Sequence, residues 1–363
     1  MTNNKKKSVK KTVKSKQKFN IFSILRFIKK PFIAIKKRIT NYLSRRPHRS
    51  FRLTRRRDYK KELILPGYFK FTKDVNRTLW KNRKIFILLA IVFIIFTAIM
   101  VKVGSQDTYD TIVDTFNANS AGGFDGFWGE VGKAGILFIG TATGGLNGSL
   151  SESQQIFGVL IILLTWLSSV WLLRNILAGH KVKLRDGLYN SAAPLLPTFL
   201  VALLLIVQLL PVALAVIGYS VAAVTGILSG GVEAMLFWFT AGFLTLISLY
   251  FITSTLFALV IITLPGMYPF KAIKTAGDLI IGRRIRILLR FIWMAVVVIL
   301  TWAIIMIPLI IFDSWIKGVV PTIAWLPIIP VIILLLTSTT VIWVSSYIYL
   351  LYRKVISNES AEA

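Results

Sequence analysis

The chain has 363 residues, and its 44 Lys and Arg against 15 Asp and Glu give a formal net charge of +29. Yet 55% of the residues are hydrophobic and only 16% are charged, with a mean hydropathy of +0.69. A soluble globular chain carries roughly 25% charged residues, so the composition argues against an ordinary water-soluble enzyme. The absence of Cys excludes disulfides, thiol catalysis and Cys-based zinc or iron–sulfur sites.

Charge and hydrophobicity occupy different parts of the chain. Residues 1–84 hold 29 basic and three acidic residues, a net of +26, and residues 85–363 hold the remaining +3. A basic cytoplasmic arm, 1–84, is therefore expected ahead of a transmembrane domain, 85–354, and a short cytoplasmic tail, 355–363. The first twenty residues are rich in Lys without an apolar pattern and read as disordered. A signal peptide is a poor reading, because the first long apolar run starts at residue 85 and lacks a small-residue cleavage site.

Further along the arm, Ile21, Ile24, Leu25, Ile28, Phe32, Ile35 and Ile39 recur at helical spacing. Arg26, Lys29, Lys30, Lys36, Lys37 and Arg38 occupy other faces. The pattern predicts an interfacial helix on an anionic inner leaflet, broken at Pro31. Each such cation near the surface adds on the order of 1 kcal/mol. The Arg cluster at 45, 46, 49, 52 and 55–57 has a second reading as a nucleic-acid or ribosome contact. The lipid surface is preferred, because the arm is tethered beside it. Residues 68–83 are expected to form a second surface helix, with Trp80 as interface anchor.

A hydrocarbon core of about 30 Å takes roughly 20 apolar residues as helix. Six runs qualify: about 85–101, 156–173, 194–222, 234–264, 288–312 and 325–352. Each is apolar on all faces, and barrel strands are shorter and alternate. The expected fold is all-α, a six-span helical bundle. Pro211, Pro308, Pro327 and Pro330 are candidate kinks, and Arg290 is close enough to its span end to snorkel.

With the amino terminus inside, the inside segments hold 41 basic residues and the outside segments three. Basic loops favour the cytoplasmic side. Both termini are thus expected in the cytoplasm of a bacterial-type plasma membrane. The outside loop, about 104–154, is Gly-rich and carries six acidic residues. A helix is expected around Tyr109–Phe116, and 131–146 reads as a membrane-resting loop, with a re-entrant segment as the alternative.

The loop before the fifth span places Phe270, Ile273, Gly277 and Ile280 or Ile281 on one helical face and Lys271, Lys274 and Asp278 on another. Here Ala272, Ala276, Leu279, Gly282, Arg283 and Arg284 form an Ala-x-x-x-small-x-x-Leu-x-x-Gly-basic pattern over about 25 residues. It resembles the cytoplasmic helix of the multi-span membrane domain fused to some bacterial glycerophosphodiester phosphodiesterases, and of related uncharacterised bacterial membrane proteins. Ala276 stands where that family often has Ser. The resemblance implies a membrane-embedded domain without a catalytic centre of its own, since the soluble phosphodiesterase domain is missing. Lys271, Lys274, Arg283 and Arg284 are taken as membrane-surface residues.

No ionisable residue lies near the middle of a span, which weakens proton-pump and proton-coupled readings. The polar candidates inside spans are Gln208, Thr337, Ser338, Thr339 and Thr340, read first as packing groups. His48 and His180 lack ligand partners at usable spacing, and no nucleotide, zinc-protease or serine-hydrolase motif is present. Neither metal nor cofactor is expected, and no enzyme. The preferred function is a scaffold, an accessory subunit or a role in lipid or envelope homeostasis, with a membrane-protein partner. A permease for an uncharged or lipid-like substrate is the first alternative. A membrane enzyme acting on lipid head groups through Asp107, Asp110 and Asp114 is the second.

Overall fold

The structure is a computed structural model that describes residues 63–101, 152–225, 228, 230–319 and 328–362. All of these belong to one compact unit, residues 60–363. The arm helix expected around 21–39, with Arg26, Lys29, Lys30, Lys36, Lys37 and Arg38, and the loop at 104–151 lie outside the described residues.

The described residues form helices and no strands. In chain order they are α1 (Tyr68–Lys81), α2 (Arg83–Val101), α3 (Glu152–Leu177), α4 (Leu184–Ser191), α5 (Leu195–Val224), α6 (Val232–Ile261), α7 (Pro269–Ile280), α8 (Arg284–Val319) and α9 (Ile328–Glu362). Six of them, α2, α3, α5, α6, α8 and α9, are long and apolar enough to cross a membrane. Helices of this composition satisfy their backbone groups internally, as hydrocarbon requires. Among the described residues the chain is a six-span, all-helical membrane bundle.

Contacts between helix ends fix their alternating directions. Val101 at the end of α2 lies beside Gly158 near the start of α3, where an added Cβ would stand 3.9 Å from its side chain. Arg174 near the end of α3 donates to the Thr263 carbonyl just past α6, at 2.9 Å. Gly218 late in α5 faces Phe237 early in α6, and Arg284 at the start of α8 donates to the Tyr250 carbonyl of α6 at 2.8 Å. Tyr347 of α9 donates to the Arg290 carbonyl of α8. These contacts gather the starts of α2 and α8 and the ends of α3, α6 and α9 at one end of the bundle. Every described Lys and Arg except Lys317 belongs to that end.

The main core joins Leu89 and Phe93 of α2, Leu167 and Leu172 of α3, Phe257 and Ile261 of α6, and Tyr347 and Leu351 of α9. A second cluster joins Trp302 and Met306 of α8 to Ile333 and Leu336 of α9. Only 6% of the most apolar window of α5 is buried. It lies at the edge of the bundle, with α6 as its principal neighbour. α8 and α9, at 36 and 35 residues, extend about 50 Å and outrun a hydrocarbon core of about 30 Å. The sixth span therefore runs on as helix where a separate tail is expected at 355–363.

One local expectation changes, and two further features emerge. Pro330 is the third residue of α9, in the first turn, where its missing N–H breaks no helical bond. On α7 the buried stripe is Ala272, Ala276 and Ile280, whereas Phe270 is exposed. Small side chains let α7 sit close against α6, and this outweighs the hydrophobicity of Phe270. Gly282, with φ 78°, turns the chain between α7 and α8 in a conformation that glycine adopts at little cost.

Candidate functional site

α1 is amphipathic, burying Phe71 and Val75 and exposing Lys70, Lys73, Asp74 and Arg77. It docks against α8 and α9 through side chains that the sequence places far away. Asn358 donates to the Ile64 carbonyl at 3.2 Å. Arg290 donates to the Pro66 carbonyl and stacks its guanidinium 4.1 Å from the Tyr68 ring centroid. The Trp293 indole donates to Thr72 Oγ1 at 3.1 Å. Phe71 meets Tyr347 edge to face at 4.8 Å, and the Trp343 indole donates to Asn76 Oδ1 at 2.7 Å. As residue numbers rise along this stretch, those on α9 fall from 358 to 343. α1 therefore runs antiparallel to the end of α9.

This docking bears on one expectation. Arg290 does not snorkel: it is buried and turned toward Pro66 and Tyr68. The helix expected over 68–83 is present as α1, Tyr68–Lys81, and packs against α8 and α9.

Where α1 ends, a groove of about 730 Å³ opens between α2 and α8, with α9 as its floor. One face of α2 lines it through Arg83, Phe86, Ile87, Ala90, Ile91 and Ile94. α8 contributes Val297, Val298, Thr301 and Ile305, and α9 contributes Leu335, Leu336, Thr339, Thr340, Ile342 and Trp343. Asn76, Leu79 and Trp80 of α1 close the cationic end. The positions recur every three or four residues on each helix, so three helical faces converge on one space. Ile87, Ile91 and Ile305 are exposed, so the groove opens sideways, toward what would be hydrocarbon.

Its polar groups are distributed unevenly. At the α1 end the Arg83 guanidinium lies 5.3 Å from the Trp80 ring centroid, a cation–π distance. No Asp or Glu is among the lining residues. Deeper in, every lining hydroxyl has a partner within the protein. Thr301 donates to the Val297 carbonyl at 2.7 Å and Thr339 to the Leu335 carbonyl at 2.8 Å. Thr340 accepts from the Trp302 indole at 3.0 Å. The interior thus suits hydrocarbon, and the mouth suits a polar or anionic group.

The candidates read from sequence do not assemble into one site. Gln208 accepts a 2.6 Å hydrogen bond from Thr255, which joins α5 to α6 away from the groove. Thr337 donates to the Ile333 carbonyl, and Ser338 is buried. Only Thr339 and Thr340 reach the groove. Lys271 and Lys274 are exposed on α7. Arg284 packs its guanidinium 3.6 Å from the Tyr250 ring centroid, and Arg283 is only 1% exposed. Among the described residues no cluster of His, Asp and Glu could hold a metal ion.

Sequence reasoning picked out Trp80 as an interface anchor but missed Arg83 and the groove itself. The available signal was the last basic turn, Lys81, Arg83 and Lys84, placed directly before an all-apolar run. Comparison with known proteins adds no relative: no family model, curated protein or solved structure matches the chain.

Proposed function

We propose that the chain is a non-catalytic, lipid-binding protein of the plasma membrane, serving lipid or envelope homeostasis. The observation that carries this reading is the groove between α2, α8 and α9, apolar inside, open sideways and cationic at one end. Such a space matches an amphiphile dissolved in the bilayer rather than a polar solute, which would find the groove's hydroxyls already bonded within the protein. The resemblance of α7 and its turn to a membrane domain without its own catalytic centre supports the same class of role.

The basic end of the bundle is taken to face the cytoplasm, with both termini on that side. The support is the concentration there of the described Lys and Arg, following the preference of basic segments for the cytoplasmic face. The arm's cations then lie beside anionic lipid, and a nucleic-acid partner is the less economical reading.

The test is lipid retention. The full chain, purified from nanodiscs into mild detergent and washed, should keep about one phospholipid per chain by mass spectrometry, the occupancy a single groove allows. Thr301→Trp, which fills the groove from its exposed α8 wall, should lower that occupancy severalfold without loss of helix content. A wild-type chain that leaves the wash free of lipid would sink the reading.

A further inference from the structure

Resting on that lipid-binding reading, we propose a specific ligand: the groove holds one acyl chain of an anionic phospholipid whose phosphate is taken by the Arg83 guanidinium. From Arg83 to Ile94 the α2 wall rises about 16 Å at 1.5 Å per residue, and the lining of α8 and α9 accompanies it. Half of a hydrocarbon core of about 30 Å is one leaflet. A groove that begins at a cation and continues apolar for one leaflet's depth has the dimensions and polarity of one lipid, from head group to chain end.

The head-group class follows from the charge at the mouth. Arg83 is exposed, carries a planar fork suited to phosphate oxygens, and is accompanied by the Trp80 ring at 5.3 Å. Arg77, Lys81 and Lys84 lie within seven positions of it in sequence. No carboxylate lines the groove. A zwitterionic head group would bring its ammonium into this basic surrounding with no acidic partner in the lining, whereas an anionic one brings phosphate alone. Long-range charge at an exposed site is screened by salt, so this preference belongs to the head group, and the buried chain supplies retention.

Depth also separates this proposal from lipid transfer across the bilayer. The described lining ends near Ile94, Ile305 and Leu335, about one leaflet's depth from Arg83. The groove is a binding site in one leaflet.

Photo-crosslinking isolates the groove from the basic arm, which would itself attract anionic lipid. The full chain is placed in nanodiscs containing phosphatidylglycerol with a photoreactive acyl chain, and in matched discs with the phosphatidylcholine analogue. Crosslinks are mapped to the α2 and α8 peptides. The expected result is severalfold more labelling with phosphatidylglycerol, a preference reduced to near unity in Arg83→Gln and partly kept in Arg83→Lys. Thr301→Trp should suppress labelling by both lipids. Equal labelling by the two lipids in the wild type, or an undiminished preference in Arg83→Gln, overturns the anionic-lipid proposal and leaves the lipid-binding reading standing. Labelling that Thr301→Trp does not reduce overturns both.

Discussion

The indole nitrogen of Trp343 on α9 donates a 2.7 Å hydrogen bond to the side-chain oxygen of Asn76 on α1. Both residues line the cationic end of the groove. The bond therefore does two things at once: it fastens the second half of α1 to the bundle and sets one corner of the groove's mouth. The amphipathic pattern of α1 gives it a buried face, Phe71 and Val75, but does not say where along α9 that face lands. Asn76 and Trp343 settle the position.

Trp343→Phe should consequently loosen the end of α1 while leaving most of the aromatic packing with Tyr347, 5.3 Å away centroid to centroid. The lost bond is worth about 1 kcal/mol, which corresponds to roughly a fivefold increase in local opening. Hydrogen exchange in nanodiscs would register it as faster exchange of the amides at 76–81, with the core of α9 unchanged. Unaltered exchange there would mean that α1 is held by its other end alone.

That other end rests on Arg290. Its guanidinium donates to the Pro66 carbonyl and covers Tyr68 at 4.1 Å. Arg290→Met removes the donor and leaves the carbonyl in a half-buried place, a cost of about 1–3 kcal/mol. Arg290→Lys should recover only part of this, because an ammonium cannot reproduce the planar stack. Thermal unfolding in detergent, with limited proteolysis at 60–70, checks both the size and the order of the two effects.

The two contacts show what the sequence could and could not reveal. Six spans were legible because each runs through at least 17 residues apolar on all faces, and hydrocarbon admits little else. For the same reason the groove was invisible. A helix that is apolar all round gives no periodic sign of which face meets a neighbour, so Ile87 and Ile91 could not be told from Leu89, which is buried in the core. Arg290 lies 224 positions from Pro66, a non-local pairing that no window along the chain contains. Nor did the sequence say which face of α7 is buried: close approach to α6 buries Ala272 and Ala276 and leaves Phe270 exposed.

Gln208 separates a packing role from a substrate site. Its side-chain oxygen accepts from Thr255 at 2.6 Å, an interhelical bond worth under about 1 kcal/mol in a membrane. Gln208→Leu should lower stability by no more than that, leaving lipid retention and groove crosslinking at wild-type levels. Loss of retained lipid in this variant would place the substrate beside α5, in agreement with a permease and against the groove.

Gly187 on α4 faces α3 so closely that an added Cβ would stand 2.7 Å from Leu172 Cδ2. Leu172 is fully buried, so it has little room to retreat. Gly187→Ala should destabilise the protein by about 1–3 kcal/mol, as overpacking does. Leu172→Ala alone should cost about 2–5 kcal/mol through the cavity it leaves. The double variant should be more stable than the sum predicts, because the new methyl enters the vacated space. Strict additivity in chemical unfolding would contradict the close approach of the two helices.

Sidedness is the last quantity open to direct measurement, and the chain is well suited to it because it contains no Cys. Single cysteines need no background removed. Lys274→Cys lies on the exposed surface of α7 at the basic end, and Glu233→Cys lies exposed in the first turn of α6 at the other. A membrane-impermeant maleimide applied to intact cells should label Glu233→Cys and spare Lys274→Cys until the membrane is opened. The reverse pattern would invert the orientation while keeping the fold. Labelling of both on intact cells would contradict the alternating helix directions that the Arg174–Thr263 and Arg284–Tyr250 contacts establish.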